Sequence, residues 1–289
     1  VKPLSDFFTD VIFTSISFQD NSLPLVVIWL VLASLFFTLY FRFINIRAFK
    51  IAIKVAFGKF DKADSPGEIS HFQAFTAAMS GTIGLGNIAG VAVAISIGGP
   101  GAMLWMIIMA FFGMTLKFVE VSLGHKYRKI YSDGTVSGGA IRYLSSGMTE
   151  LGFPRLGKIL AIIFAICCIG GSFGGGNMFQ ANQAFQQIVI ATGGEQSFFY
   201  GKGWLGGITF AIVVGCIIIG GIKSIGKVTE KLVPIMGFFY CLACIFIIFS
   251  NYQLIPNTIY IIFSNAFNPD AGIGGLVGVM IAGVKRAVF

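Results

Sequence analysis

The sequence predicts an all-α polytopic membrane protein, and three observations support that class. Of its 289 residues, 56% are hydrophobic and only 11% are charged, whereas a soluble domain covers its surface with charged side chains. Several apolar segments reach the roughly 20 residues that a membrane-spanning helix needs. Lysine and arginine are concentrated in alternate connections between these segments, which is the pattern that orients helices in a membrane.

Six segments are long and apolar enough to be predicted spans, and a seventh begins near the end of the chain. The six are 24–44, 72–97, 101–123, 158–188, 205–222 and 232–250, and the seventh begins at Gly272. A shorter apolar stretch, 258–263, predicts an interfacial or short extracellular helix. No connection is long enough for a soluble domain, so we expect a single transmembrane unit over 1–289.

The positive charges predict the orientation of these spans. The connections after the first, third and fifth segments are rich in lysine and arginine, whereas the opposite side carries only Lys2 and Lys202. Since cytoplasmic connections retain positive charge, the N-terminus is predicted to lie outside a multi-pass protein of the cell membrane. The net charge of +8 therefore reflects orientation in a lipid bilayer, and we expect no nucleic acid partner.

The connection from 124 to 157 contains turn residues between 131 and 139, and it predicts a short amphipathic helix around 140–146 on the cytoplasmic face. Just before it, Lys117 and Glu120 lie one helical turn apart. This spacing favours a salt bridge between Lys117 and Glu120, with a structural or gate-locking role.

The second predicted span contains the most informative stretch, Ser80-Gly81-Thr82-Ile83-Gly84-Leu85-Gly86-Asn87-Ile88-Ala89-Gly90. Glycines and an asparagine weaken a helix where no water can replace lost backbone hydrogen bonds. An unwound segment at 84–86 would expose two half-helix ends, whose amides attract a carboxylate while carbonyls and hydroxyls hold a cation. The stretch therefore favours a shared site for a small zwitterion and a cation.

Two other interpretations of this stretch remain. Gly84, Gly86 and Gly90 are also typical of close helix packing, because small residues let membrane helices approach. By its sequence pattern alone, Gly84-x-Gly86-x-x-Ala89 also fits a loose dinucleotide-binding motif. That motif needs a preceding strand and a following crossover.

The fourth predicted span contains a glycine run followed by amides, Asn177, Gln180, Asn182 and Gln183. Phe173, Asn177 and Gln180 share one helical face, since steps of four and three residues return to the same side. Amides within a bilayer must face protein, ligand or water. We expect Asn177 and Gln180 to line a site, and Asn182 and Gln183 to hold helices together.

The string GTIGLGNIAGVAVAISIGGPGAMLWM at 81–106 resembles the most characteristic stretch of the alanine or glycine:cation symporter family. KFVE at 117–120, GG at 138–139 with RYL at 142–144, and GNMFQAN at 176–182 are similar to further features of that family in the expected order. The resemblance covers nearly the whole chain.

The resemblance implies the inverted-repeat fold of sodium-coupled transporters, with the first repeat preceded by one extra N-terminal helix and the second repeat largely missing. It also implies sodium-coupled, inward symport of a small neutral amino acid, alanine or glycine, by alternating access. We expect a fragment that stops before the family's serine-asparagine-glutamate-alanine-glycine motif and does not transport alone.

Carried over residue by residue, the resemblance implies substrate and ion contacts at Thr82, Gly84, Gly86, Asn87, Asn177 and Gln180. Na⁺, the expected coupling ion, is assigned to Thr82, Gly84 and Asn87. No other cofactor is expected, and the oligomeric state is left open.

Alternatives of other classes remain at this point. A proton could replace sodium as the coupling ion, a glycine-lined channel could select ions through carbonyls, and a structural membrane subunit would bind no solute. An enzyme is not expected, because no nucleophile and base pair stands at membrane depth.

Overall fold

The computed structural model describes residues 14–18, 21–61, 67–174 and 177–267, and it is predominantly helical. These residues divide into two compact units. The first takes in the described residues up to Ile51, then Gly86–Glu120, then those from Tyr240 onward; the second takes in Ala52–Leu85 and Val121–Phe239. The single unit expected over 1–289 stays a prediction.

Most of the longer helices follow the apolar segments of the sequence, and one lies in the basic connection after the first predicted span. They are α1 (Leu25–Tyr40), α2 (Phe49–Ala56), α3 (His71–Thr82), α4 (Leu85–Gly98), α5 (Ala102–Lys126), α6 (Pro154–Gly174), α7 (Asn177–Ala191), α8 (Gly203–Ile218), α9 (Gly221–Ser250) and α10 (Ile255–Phe267). A short helical turn, Ile44–Arg47, lies between α1 and α2.

Within the described residues, α5 and α9 are the helices long and apolar enough to cross a membrane. The first and fifth predicted spans are the 16-residue helices α1 and α8. The second predicted span is divided between α3 and α4, and the fourth between α6 and α7. The count of six spans therefore stays a prediction, and the segment from Gly272 lies outside the described residues.

The predicted boundary between the fifth and sixth spans is wrong. The structure ends α8 at Ile218 and begins α9 at Gly221, eleven residues before the predicted start at 232. Gly221 has a φ of +65°, a conformation that glycine adopts without steric cost and that lets the chain turn. The lysines that follow are good helix formers, so α9 begins well before its apolar part.

Within the part of the chain that the structure describes, two small hairpins accompany the helices. Strand β1 (Ser15–Phe18) pairs antiparallel with β2 (Asn21–Pro24), a hairpin that the all-α prediction missed. Strand β3 (Lys129–Ile130) pairs with β4 (Val136–Ser137), where the sequence predicted turns.

The helix predicted around 140–146 is confirmed. It consists of consecutive short pieces, Ala140–Arg142, a π-helical turn at Tyr143–Gly147, and Met148–Glu150. The shorter helix predicted at 258–263 is also present, as the central part of α10.

Polar groups join α1 and its following turn to α5 within the first unit. Thr38 is fully buried and its hydroxyl lies 3.4 Å from the carbonyl oxygen of Phe112, while the Asn45 amide donates to the carbonyl oxygen of Phe111 at 3.0 Å. The ring of Phe41 packs edge-on against that of Phe118. Amide and hydroxyl groups thus connect helices where lipid offers no partner.

Candidate functional site

The helix of the second predicted span is interrupted at Ile83–Gly84, which overlaps the predicted unwound segment 84–86 only at Gly84, because Leu85 and Gly86 are helical. Helix α3 ends at Thr82 and α4 begins at Leu85. Ile83 has φ −87° and ψ +112°, an extended conformation far from the ψ of about −42° of an α-helix. Its N–H donates to the carbonyl oxygen of Met79 at 2.7 Å, which closes the last turn of α3. Ile83 and Gly84 therefore form a two-residue break.

A break of this kind exposes two sets of backbone groups. The last carbonyls of one helix and the first N–H groups of the next have no partner within their own helix. The end of α3 carries partial negative charge and the start of α4 partial positive charge. The break can therefore offer oxygen atoms to a cation and N–H groups to a carboxylate.

Thr82 adds a side-chain oxygen at the end of α3. Its hydroxyl donates to the carbonyl oxygen of Ala78 at 2.8 Å, and the side chain is exposed. Because that hydrogen bond uses the hydroxyl hydrogen, the lone pairs of Oγ1 stay available to a hydrogen-bond donor or a cation. Ser80 makes a similar bond to the carbonyl oxygen of Ala77.

Gln180 of α7 lies against the break. A Cβ added at Gly84 would lie 2.7 Å from Gln180 Nε2, so the side-chain amide approaches the backbone of Gly84 directly. The Gln180 side chain is exposed and Gly84 is half-buried. Two residues that the sequence singled out separately, 96 positions apart, are thus brought together within the second unit.

The close-packing interpretation of the glycines receives no support at Gly90. A Cβ added at Gly90 would meet nothing within 4 Å among the described atoms. Gly86 and Asn87 lie in the first turn of α4, and Asn177 is the first residue of α7. The surroundings of the Asn87 and Asn177 side chains lie outside the described part of the structure.

The other end of α3 is fixed by residues that the sequence analysis missed. Ser70 and Gln73 form a capping box: Ser70 Oγ accepts from the Gln73 N–H, and Gln73 Oε1 accepts from the Ser70 N–H. Gln73 Nε2 also donates to Glu230 Oε2 of α9 at 2.9 Å. The Ser-x-x-Gln spacing could have predicted the cap, but no local pattern predicts a contact between residues 157 positions apart.

A cavity of about 710 Å³ opens at this N-terminal end of α3, where Ser70, His71 and Arg128 are among its lining residues. The 12 residues of α3 span about 18 Å at 1.5 Å per residue. The cavity is therefore separate from the break at Ile83–Gly84.

The ion pair predicted between Lys117 and Glu120 is confirmed. Lys117 Nζ lies 2.9 Å from Glu120 Oε2, and both side chains are more than half exposed. An exposed pair of this kind contributes little stability.

Comparison with known proteins shows the family to which the chain belongs. The model of the sodium:alanine symporter family matches residues 7–289. The chain belongs to the sodium:alanine symporter family. Among family relatives, it is 42% identical over 267 residues to the sodium/alanine symporter AgcS of Methanococcus maripaludis, covering 92% of this chain and 57% of that protein.

Two Bacillus subtilis relatives extend the comparison. The putative sodium/proton-dependent alanine carrier protein YrbD is 36% identical, with 88% of this chain and 49% of YrbD covered. The probable sodium/glutamine symporter GlnT is 33% identical, with 92% and 52% covered. The chain spans about half the length of these curated family members.

Proposed function

We propose that this chain is part of a symporter that carries a small neutral amino acid, alanine or glycine, into the cell together with Na⁺ by alternating access. The observation that carries the proposal is the helix break at Ile83–Gly84 with the Gln180 amide against it, in a chain of the sodium:alanine symporter family. The role is transport, not enzymatic catalysis.

In this proposal the break binds both solutes without a buried charged side chain. The substrate carboxylate is held by N–H groups at the start of α4, at Gly86 and Asn87. Na⁺ is held by oxygen atoms at Thr82, Gly84 and Asn87. The substrate's remaining polar groups contact the amides of Asn177 and Gln180, so a zwitterion and its coupling ion share one site.

The architecture that we propose is the inverted-repeat fold. Helix α1 is the extra N-terminal helix, α3 and α4 form the first broken core helix, and the chain supplies the first repeat. The coverage of about half of each relative supports this division. The basic connections support an N-terminus outside the cell membrane.

The names of these relatives bear on the choice of solute and coupling ion. Alanine appears in the names of AgcS and YrbD, and glutamine in that of GlnT. The name of YrbD includes both sodium and proton. The proton is therefore the second candidate for the coupling ion.

The test is uptake of alanine and glycine by the full-length protein in proteoliposomes. We expect saturable accumulation against a gradient when Na⁺ is present, and its loss when K⁺ replaces Na⁺. Uptake that does not depend on Na⁺ and is driven by a pH gradient would instead establish proton coupling. Flux that is linear in concentration, without saturation, would establish a channel.

A further inference from the structure

We propose that Glu230 is a positioning residue, which acts through Gln73 to fix α3, the half-helix that carries Thr82 at its C-terminal end. The inference rests on the proposed function, because it concerns the same site. It begins from the first turn of α3, where a single side chain both caps the helix and binds a second helix.

Gln73 makes two hydrogen bonds with its one side-chain amide. Its Oε1 accepts from the Ser70 N–H at 3.2 Å, and its Nε2 donates to Glu230 Oε2 at 2.9 Å. Gln73 and Glu230 are both half-buried, and within the described residues the Glu230 carboxylate makes no ion pair. A hydrogen bond to a charged group is among the stronger ones.

Small residues near Gln73 extend the contact between α3 and α9. Gly226 of α9 is buried, and a Cβ added there would lie 3.3 Å from Gln73 Cβ and 3.4 Å from Ile69 Cγ2. One turn further along α3, the buried hydroxyls of Thr76 and Thr229 lie 3.5 Å apart. Glycine and threonine therefore let α3 and α9 approach closely, and Glu230 fixes the register of that approach.

Because of the helix break, the contact between α3 and α9 determines the position of Thr82. An uninterrupted helix would fix Thr82 through the turns that follow it, whereas α3 ends at Thr82 and the next residue is extended. The position of Thr82 is then set by the lateral contacts of α3, because a short helix moves as a stiff rod. Gln73 and Thr82 are nine residues apart, or about 14 Å along the axis.

The donor and the acceptor of the hydrogen bond between Gln73 and Glu230 can be exchanged by mutation. In Gln73→Glu, two carboxylates face each other and repel. In Glu230→Gln, the new amide oxygen still accepts from Gln73. In the double variant, the carboxylate introduced at position 73 accepts from the amide introduced at position 230. That carboxylate also preserves the capping box, since glutamate and glutamine both serve at the third helical position.

The experiment compares these variants in the full-length protein, with Na⁺-dependent alanine uptake measured per amount of monodisperse protein. We expect Gln73→Glu to raise the KM for alanine and the half-saturating Na⁺ concentration about tenfold, the size of a lost hydrogen bond to a charged group. Glu230→Gln and the double swap should stay near the wild type. Gln253→Glu, the same change at an exposed position, should have no effect.

A second readout does not depend on transport. Ala78 is exposed on α3, so the thiol-labelling rate of Ala78→Cys, in a variant whose native cysteines are replaced by serine, reports the position of the half-helix. Gln73→Glu should change this rate and the double swap should restore it. If Gln73→Glu does not fold, Gly226→Ala, which crowds Gln73 without a charge, should shift KM and labelling in the same direction.

The outcomes separate the two proposals. A wild type without Na⁺-dependent uptake overturns the proposed function, while the labelling rates still test the positioning role. A wild type that transports, together with unchanged KM and labelling in Gln73→Glu, overturns the inference about Glu230. So does a double swap that is no better than Gln73→Glu alone.

Discussion

The backbone of Gly84 faces the side-chain amide of Gln180, so that a methyl group at position 84 would lie 2.7 Å from Gln180 Nε2. Gly84 does not have a positive φ, so its backbone conformation is open to any residue. Glycine is needed here because of the space that the Gln180 amide occupies. The absent side chain therefore leaves room for an amide at the break.

Replacement of Gly84 by alanine should displace the Gln180 amide and leave the fold intact. The obstructing atom is the far end of a flexible side chain, which can rotate away at small cost. We expect the KM for alanine to rise about tenfold, as for the loss of a good hydrogen bond. Gly81→Ala, where the added carbon meets nothing within 4 Å, is the matched control and should keep the wild-type KM.

Truncation of Gln180 tests the same contact from the other helix. Gln180→Ala leaves the space beside Gly84 empty, and we expect weaker alanine binding in a calorimetric titration of the detergent-purified protein. Gln186, exposed on the same helix, provides a control variant, Gln186→Ala. Equal affinities for the two variants would remove Gln180 from the proposed site.

Thr82→Val removes one hydroxyl while keeping the shape of the side chain. If Oγ1 holds Na⁺, the half-saturating Na⁺ concentration should rise several-fold, whereas Thr82→Ser, which keeps the oxygen, should resemble the wild type. Thr209 makes the same kind of bond, to the carbonyl oxygen of Leu205 at 2.9 Å, so Thr209→Val controls for the loss of a helix hydroxyl. An unchanged Na⁺ dependence in Thr82→Val contradicts the ion assignment.

Two adjacent glycines of α8, Gly206 and Gly207, should differ in how replacement by alanine changes the melting temperature. Gly206 is buried against the Phe185 ring, which itself packs edge-on with Phe199. A methyl group there forces the ring to move, and overpacking of this kind costs about 1–3 kcal/mol. Gly207 has no atom within 4 Å of an added Cβ, so Gly207→Ala should keep or raise the melting temperature in detergent, while Gly206→Ala lowers it.

The β3–β4 turn should loosen at low pH. The Thr135 hydroxyl and N–H donate to Asp133 Oδ1 at 2.7 and 2.9 Å, and these bonds, the hydroxyl first, lower the pKa of Asp133 below its ordinary value of 3.8. A pKa lowered on folding means that the carboxylate stabilises the turn above pH 3.8, and this stability is lost as pH falls through the folded pKa.

Hydrogen exchange at the Tyr131 amide, which donates to the carbonyl oxygen of Thr135 at 2.9 Å, checks this expectation. The protection factor, corrected for the intrinsic rate, should fall with acid in the wild type. Asp133→Asn has no carboxyl group to protonate, so its protection should be independent of pH in that range.

The sequence alone determined the helical membrane class, the course of α5, and the break near Gly84. Each of these depends on local information: the length of an apolar run, and the backbone freedom of glycine within it. The same criterion misplaced the start of α9 by eleven residues, because apolar length marks where lipid begins and not where hydrogen bonding begins. It also gave no sign of the β1–β2 hairpin.

Only the tertiary structure decided which distant residues meet. Gln180 lies beside Gly84, and Glu230 binds Gln73, although 96 and 157 positions separate the members of these pairs. Helical periodicity places a side chain on one face of its own helix but carries no information on the helix opposite. That choice is made by packing, where a missing Cβ or a complementary donor and acceptor lets two particular helices approach.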